Sequence, residues 1–436
     1  MARYIFAGSA RLIRVRQHPF IQTLLSLKGN ARGCVLTEPL WGIPFNLYAP
    51  YISVYMLALG LTDAQIGLLA SVGLGFQVFT ALISGAITDK LGRRRATFIF
   101  DVLSWSVPTL IWAIAQNFWY FLIAAVVNSL WRVTMNSWSC LLVEDTDPDL
   151  LVDVYSLIYI SGQVVAFFAP LAGLLIGAFS LVPTVRGLYF FAFIMMTIKF
   201  WATNALTTET KQGLVRIEET RHQGMPTMLG EYRQVIGKIL RAPATLVTLG
   251  LMLVISIFHT VNGSFWAILA TERIGIPDEH LAIFPFARSS VMLLFFFLVM
   301  PRVRNLRFRN PMLIGYALFI VGQLLLINVP EKNYALLLVS VLLETCAVPL
   351  TGTLMDKMVV ITVEPAERAR ILAILYVIVI IFTSPFGWIA GQLSELDRIF
   401  PFVLNLGVLG VGALLVFLAG RVVKDTEPDE PLAAEV

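Results

Sequence analysis

The stretch GAITDKLGRRR, residues 85–95, ends one long apolar segment and comes directly before another. It holds one acid, Asp89, and four bases, Lys90 and the three arginines at 93–95. On both sides, apolar segments of about 20 residues recur along nearly the whole chain, and each is long enough to cross about 30 Å of hydrocarbon. The sequence therefore predicts an all-α polytopic membrane protein in which this charged stretch is a loop between two spans.

The composition favours the same class. The chain has 436 residues, of which 58% are hydrophobic and 14% are charged, whereas soluble domains carry about 25% charged residues. A transmembrane β-barrel would show alternating segments of about ten residues instead. We predict twelve transmembrane helices, at 34–58, 64–86, 96–115, 118–142, 152–178, 184–206, 244–270, 281–301, 311–328, 334–358, 367–393 and 399–420.

One long polar stretch divides these spans six and six. The predicted organisation is a basic N-terminal segment (1–33), a six-helix bundle (34–206), a central loop (207–243), a second six-helix bundle (244–421) and a tail (422–436). Most of the 32 lysines and arginines lie in the N-terminal segment and in every second loop. Because basic loops stay on the cytoplasmic side, both termini are expected in the cytoplasm.

The two halves resemble each other in sequence. The stretch GLTDAQIGLLASVG (60–73) resembles GIPDEHLAIFPFAR (275–288), and DPDLLVDVYSLIYI (147–160) resembles EPAERARILAILYV (364–377). The two matches have nearly the same offset along the chain and fall in equivalent loops. Chance similarity between apolar helices is the alternative. A repeat predicts two pseudo-symmetric bundles with a solute site between them.

The charged loop also resembles a family signature. Its pattern Gly85-x-x-x-Asp89-x-x-Gly92-Arg93-Arg94 is similar to the loop motif of the major facilitator superfamily, roughly G-x-x-x-D-x-x-G-R-[RK]. The resemblance implies the fold of that superfamily, transport by alternating access, and a conformational latch on the inner face. The implied latch residues, to which we add Asp101 in span 3, are Gly85, Asp89, Gly92, Arg93, Arg94 and Asp101. Glycines permit close backbone approach there, and the alternative role is a topogenic anchor alone.

Two further stretches bear on direction and symmetry. The segment VAFFAPLAGLL (165–175) retains only Pro170 and Gly173 of the antiporter motif G-x-x-x-G-P-x-x-G-G, which favours export, although ordinary helix packing explains it nearly as well. The loop MPRVRNLRFRN (300–310) has Arg304 where a repeat of Asp89 would stand. We therefore expect no symmetric latch in the second half.

The resemblance implies that spans 1, 4, 7 and 10 line a central cavity, and each carries polar groups, which are costly at membrane depth. We predict Glu38 and Glu344 as proton carriers, and Arg132 as the partner of Glu344; a purely structural buried ion pair is the alternative. Lys199 is expected to snorkel to the membrane surface, and both Lys199 and Arg288 to lie on lipid-facing helices. The predicted solute ligands are Arg132, Glu344, His259, Asn262, Asn136, Asn46, Trp266 and Tyr48.

These features predict a secondary active transporter of a small organic or amphipathic solute, working as a proton-coupled exporter. Solute or lipid uptake, facilitated transport, and a membrane sensor without net flux are the alternatives. The sequence shows no catalytic triad, phosphate loop or metal-ligand spacing, and its three cysteines fall in apolar segments. We therefore expect no enzyme activity, metal, disulfide or cofactor, with the proton gradient as the energy source. The expected setting is a monomer in the bacterial inner membrane that binds lipid and solute and no nucleic acid.

Overall fold

A computed structural model describes residues 27–221, 243–299, 309–362 and 368–422. Within these ranges every regular element is helical, and ten helices are long and apolar enough to cross a membrane. The predicted all-α polytopic fold is therefore confirmed. Most of the predicted basic N-terminal segment, residues 222–242 of the central loop, the loop at 300–308, the start of the second repeat at 364–367 and the tail after 422 lie outside the described residues.

The helices follow one another along the chain with short connections. Those of the first half are α1 Gly29–Thr37, α2 Pro39–Tyr48, α3 Ile52–Ala58, α4 Asp63–Leu91, α5 Arg93–Asp101, α6 Val107–Ala113, α7 Phe118–Asn128, α8 Trp131–Val143, α9 Leu151–Val165, α10 Ala169–Phe179, α11 Leu181–Leu206 and α12 Lys211–Thr220. Those of the second half are α13 Pro243–Ile268, α14 Ile283–Leu298, α15 Arg309–Ile327, α16 Tyr334–Thr362, α17 Arg368–Leu396 and α18 Phe400–Val422.

Two of the twelve predicted spans fall outside the ten long helices. The first is divided into α1, α2 and α3 by a break at Glu38 and by a 3₁₀ turn at Ala49–Tyr51. Proline has no N–H to donate and clashes with the preceding turn, so Pro39 explains the break at Glu38. The eighth span corresponds to α14, which has 16 residues as described.

The chain divides into two compact units. Unit 1 comprises Met1–Pro50 and Phe79–Met228, and unit 2 comprises Tyr51–Val78 and Leu229–Val436. Residues 51–78, which end the first predicted span and begin the second, thus belong to unit 2. The predicted bundles at 34–206 and 244–421 follow from the polar stretch that divides the predicted spans six and six, and they stay a prediction.

Each unit has its own apolar core. In unit 1, Cys34 of α1 packs with Leu141 and Leu142 of α8 and with Val154 of α9. In unit 2, α13, α15, α16 and α18 meet around Phe258, Met312, Tyr316, Phe319 and Leu409. Gly315 and Gly412 let these helices approach closely, because a Cβ at either position would collide with a neighbouring side chain.

The two repeated turns share a backbone conformation. Gly60 and Gly275, which the sequence repeat aligns, both have positive φ, 85° and 75°. Only glycine adopts this region without a steric penalty from Cβ. The shared geometry is what the repeat predicts for these two turns.

In unit 2, the first part of α4 packs on α17 through glycines. A Cβ added to Gly67 would meet the carbonyl oxygen of Gly387 and would lie 2.8 Å from Cα of Gly391. Ser384 Oγ donates to the carbonyl of Ser71 at 3.0 Å in the next turn. The two backbones therefore touch directly, and the contact requires the absence of side chains at these positions.

Gly67→Ala is expected to destabilise the protein by about 1–3 kcal/mol, the usual cost of overpacking. Gly75, on the same helix, is the matched control, because a Cβ there would meet only Ser384 Oγ, at 3.7 Å. Gly75→Ala should be neutral or stabilising, since alanine favours the helix. Thermal unfolding of the purified protein in detergent measures both, and equal melting temperatures for the two variants would contradict the packing argument.

Candidate functional site

Unit 1 contains a cavity of about 320 Å³, which is within the usual range for small-molecule sites. Its walls are mainly aromatic, and three ionisable side chains lie at one side. The lining residues come from α2, from α5 and the turn after it, from α8 and from α11: Glu38, Trp41, Asp101, Trp105, Trp131, Thr134, Met135, Trp138 and Lys199.

The ionisable residues of the cavity form a buried charge cluster of Glu38, Asp101 and Lys199. Lys199 is only 4% exposed, and its Nζ lies 3.6 Å from Glu38 Oε2 and 4.0 Å from Asp101 Oδ2. The prediction that Lys199 snorkels to the membrane surface is wrong. An ammonium group is retained inside because two carboxylates compensate its charge.

The break after α1 places Glu38 opposite Lys199. Thr37 and Thr203 share a hydrogen bond of 2.7 Å between their hydroxyls, and Thr203 lies one helical turn after Lys199. A Cβ at Gly33 would be 3.0 Å from the Thr207 side chain, so α1 and α11 approach closely. This contact fixes the distance between the Glu38 carboxylate and the Lys199 ammonium group.

Asp101 ends α5, and a π-helical turn follows it at Val102–Ser106. Such turns are frequent at functional sites because they locally change the direction of side chains. Thr97 donates to Ser137 Oγ at 2.8 Å and ties α5 to α8. Trp105, inside the π-helical turn, packs edge-on against Trp41 with ring centroids 5.1 Å apart. Asp101 and Trp105 thus face the same cavity.

Four polar atoms of the cavity lining have no hydrogen-bond partner within the described parts of the chain. They are Glu38 Oε2, Asp101 Oδ2, Thr134 Oγ1 and Trp138 Nε1. Buried polar atoms are nearly always paired in proteins. Two of them, Glu38 Oε2 and Asp101 Oδ2, lie beside the Lys199 ammonium group at 3.6 and 4.0 Å and are ion-paired with it.

On α8, the residues that line the cavity differ from those predicted. The lining residues recur at helical spacing from Trp131 to Trp138. Arg132 stacks on Trp131, with its guanidinium carbon 4.2 Å from the ring centroid. Asn136 donates to Thr88 Oγ1 at 3.2 Å and so links α8 to α4. The roles predicted for Arg132 and Asn136 in binding solute stay predictions.

The two residues predicted on α2 have other surroundings. Asn46 donates to the backbone carbonyl of Gly42 at 2.8 Å. Tyr48 is 1% exposed, and its ring centroid lies 4.7 Å from that of Tyr189. Neither residue belongs to the lining of the unit 1 cavity.

Unit 2 contains a second polar cluster at membrane depth, around Glu344. The carboxylate accepts hydrogen bonds from Gln323 at 2.5 Å and from Asn262 at 3.2 Å. Glu344 is 4% exposed and Gln323 is fully buried. On α15, Gly322 makes room for the acid, because a Cβ there would lie 2.9 Å from the Glu344 side chain.

A cation belongs to this second cluster. Arg288 of α14 interacts electrostatically with Glu344, and its guanidinium carbon lies 5.2 Å from the ring centroid of Trp266. Arg288 therefore lies with the Glu344 cluster, and the prediction that its helix faces lipid stays a prediction. His259 lies beside Phe258, with ring centroids 5.5 Å apart, and interacts electrostatically with Arg288. The predicted pair Arg132–Glu344 joins residues of different units and stays a prediction.

The loop signature forms a network of ion pairs inside unit 1. Arg93, which is 5% exposed, lies 3.0 Å from Asp89 and 3.0 Å from Glu144. Asp89 also binds Arg216 of α12 at 2.8 Å, and this hydrogen bond raises the pKa of the Arg216 guanidinium. Asp101, predicted to join the same network, pairs instead with Lys199.

The start of α5 is capped by a residue from the central loop. The Glu209 carboxylate accepts from the backbone N–H groups of Arg93 at 2.8 Å and Arg94 at 3.1 Å, and a negative charge at a helix N-terminus is favourable. Gly92 has φ 84°, and a Cβ there would meet Glu209. Gly85 has open space around it, so close approach explains Gly92 but is wrong for Gly85.

Comparisons with known proteins agree with this fold. A family model described as Major Facilitator Superfamily matches residues 41–374. The multidrug resistance protein MdtG of Serratia proteamaculans (strain 568) is 29% identical over 129 residues, which cover 28% of either chain, so the match spans less than a third of that relative's length.

Solved transporters share the fold of the chain. A mutant of the nucleoside transporter NupG superposes with a TM-score of 0.72 at 17% identity, covering 90% of this chain and 100% of that one. The POT family transporter PepTSo gives a TM-score of 0.69 at 13% identity, covering 91% and 99%. At these identities the likeness shows the fold alone.

Proposed function

The chain belongs to the major facilitator superfamily, a family of membrane transporters and not of enzymes, and from that premise we propose a specific activity. It is a secondary active transporter that moves a small organic or amphipathic solute by alternating access, as proton-coupled export. It acts as a monomer in the bacterial inner membrane with both termini in the cytoplasm. Solute or lipid uptake and a sensor without net flux remain the alternative activities.

The observation that carries the proposal is the charge cluster beside the tryptophan-lined cavity. Glu38 and Lys199 approach to 3.6 Å, and Asp101 adds a second carboxylate. Ionisable groups within membrane spans are costly and usually serve a transport or proton pathway. A carboxylate next to an aromatic cavity can exchange a proton as the cavity gains or loses solute. Glu344, held by Gln323 and Asn262, is the corresponding acid of unit 2.

Two observations support export over uptake. The relative named for multidrug resistance matches 129 residues of this chain, and α10 retains Pro170 and Gly173 of the antiporter motif. The network around Asp89, Arg93 and Arg216 supports a conformational latch at the charged loop, because it joins α4 and α5 to α12 through ion pairs that can exchange partners.

Proteoliposomes with an imposed pH gradient test the transport proposal. The solutes are three labelled amphipathic probes of different charge, namely benzyltrimethylammonium, phenylmethanesulfonate and phenylalanine. An acidic interior drives solute uptake by proton antiport, whereas an alkaline interior drives uptake by symport. With one proton exchanged per solute, about one pH unit supports about tenfold accumulation. Antiport of any one probe supports export.

Glu38→Gln and Glu344→Gln are tested separately. At least one of the two variants is expected to lose gradient-driven accumulation while it still exchanges solute across the membrane. Gln keeps the shape of the side chain and removes the titrating proton. Identical gradient-dependent flux in the parent and in both variants would show that neither acid carries the proton. Saturable binding without flux of any probe would favour the sensor.

A further inference from the structure

We propose that the unit 1 cavity binds an organic cation with a flat apolar body, through its tryptophan rings and the excess carboxylate of the Glu38–Asp101–Lys199 cluster. This inference rests on the proposed function, because it names the class of solute that the transporter carries. The aromatic walls of the cavity and the charge balance of the cluster support it.

The charge balance of the cavity favours a cation. Two carboxylates, Glu38 and Asp101, face the single ammonium group of Lys199 at 3.6 and 4.0 Å. Among the side chains that line the cavity, one carboxylate therefore remains without a full counter-charge, and Asp101 is only 2% exposed. An uncompensated buried carboxylate is strongly unfavourable. A proton or a cationic ligand removes that cost, so the two are alternative partners of the same site.

The aromatic walls give the site its second feature. Tryptophan rings bind cations at their faces, and most strongly where water is excluded. Two rings of this cavity already hold cations of the chain: Arg132 lies 4.2 Å from the Trp131 centroid, and Lys199 lies 5.8 Å from the Trp138 centroid. Trp41 and Trp105 supply edge and face surfaces against which a flat apolar group can pack.

The cavity brings charged and apolar groups together. Glu38 Oε2 and Asp101 Oδ2 lie 3.6 and 4.0 Å from Lys199 Nζ, and the same cavity is lined by four tryptophans and Met135. A solute with a cationic head and an aromatic body matches both the polar side and the apolar walls.

The test compares ligands of one shape and different charge. Benzyltrimethylammonium and its neutral isostere neopentylbenzene differ only in the quaternary atom, and phenylmethanesulfonate supplies the anion. Calorimetric titration of the purified full chain in detergent measures affinity. We expect the cation to bind about tenfold or more tightly than the neutral isostere, and the anion to bind more weakly than either.

Variants locate the preference in this cavity. Asp101→Asn leaves the Lys199–Glu38 pair and removes the excess charge, so the preference for the cation should fall about tenfold. Glu38→Gln should lower the preference for the cation in the same way, because it leaves only the Lys199–Asp101 pair. Asp149→Asn is the matched control, because Asp149 is exposed and does not line the cavity. This variant should keep the full preference for the cation. Thermal unfolding checks that every variant is folded.

The outcomes separate this inference from the transport proposal. Absence of saturable cation binding to the folded parent, equal affinity for cation and isostere, or a preference that survives in both cavity variants would overturn the inference. Gradient-driven flux of phenylmethanesulfonate or phenylalanine alone would leave the transport proposal standing and reject the cation. Cation-selective binding without flux of any probe would reject the transport proposal and would support the organic cation as the ligand of this cavity.

Discussion

Lys199→Ala is expected to lower the free energy of unfolding by about 3–5 kcal/mol, the usual cost of removing one partner from a buried ion pair. It should also abolish transport. The reason is the position of Lys199 between Glu38 and Asp101, at 3.6 and 4.0 Å. Without the ammonium group, two carboxylates share a buried site. At least one of them must then take up a proton, or the structure around it must unfold.

Thermal and denaturant unfolding in detergent measure the loss of stability, and proteoliposome flux measures the loss of transport. Lys211→Ala is the matched control, because Lys211 is an exposed lysine at the start of α12, where substitutions usually change stability by less than about 0.5 kcal/mol. The triple variant with Lys199→Met, Glu38→Gln and Asp101→Asn removes all three charges and should regain stability without regaining transport. Equal stability of the two alanine variants would contradict the role of the charge cluster.

The fold was predictable from local properties of the sequence. Long apolar segments fix the number and position of helices because the hydrocarbon layer demands continuous internal hydrogen bonding. The same argument predicted an unbroken first span and failed at Glu38, where Pro39 ends the hydrogen bonding of α1. The sequence repeat aligns Gly60 with Gly275, and the structure gives both glycines positive φ.

The site was only partly predictable. Glu38, Glu344 and Asn262 were identified because charged or amide groups are rare in apolar spans. Lys199 was misassigned because a lysine near the end of a span usually reaches the membrane surface, and its two carboxylate partners lie far away in sequence. The pairing of distant residues depends on helix packing, which no local pattern in one sequence specifies.

Two polar residues of the unit 2 cluster lie outside the cavity helices that the family resemblance implies. Gln323 lies on α15, the ninth span, and Arg288 lies on the eighth, so neither belongs to the four spans that the resemblance assigns to the cavity. An amide inside GYALFIVGQLLLI (315–327) is a signal that sequence analysis alone could have used. Trp105 gave no such signal, because tryptophan is common in membrane spans and the π-helical turn around it is a local backbone irregularity.

Arg93→Ala is expected to destabilise unit 1 by about 3 kcal/mol and to reduce transport strongly. Arg93 lies between two carboxylates, 3.0 Å from Asp89 and 3.0 Å from Glu144, and it is only 5% exposed. In Arg93→Ala, Asp89 keeps only its ion pair with Arg216, and Glu144 loses its ion pair with Arg93. Arg93→Lys should recover only part of the loss, because an ammonium group cannot bind both acids as the guanidinium fork does.

Arg95 supplies the matched control for this prediction, since it belongs to the same run of arginines but is exposed. Arg95→Ala removes the same charge from the loop and should change stability by less than about 0.5 kcal/mol. A topogenic anchor depends on the number of positive charges, so it predicts equal effects of Arg93→Ala and Arg95→Ala on membrane insertion and transport. A latch depends on the ion pairs of Arg93 and predicts loss of transport in Arg93→Ala alone. Flux measured on correctly inserted, folded protein separates the two roles, and equal flux in both alanine variants would leave the loop as an anchor only.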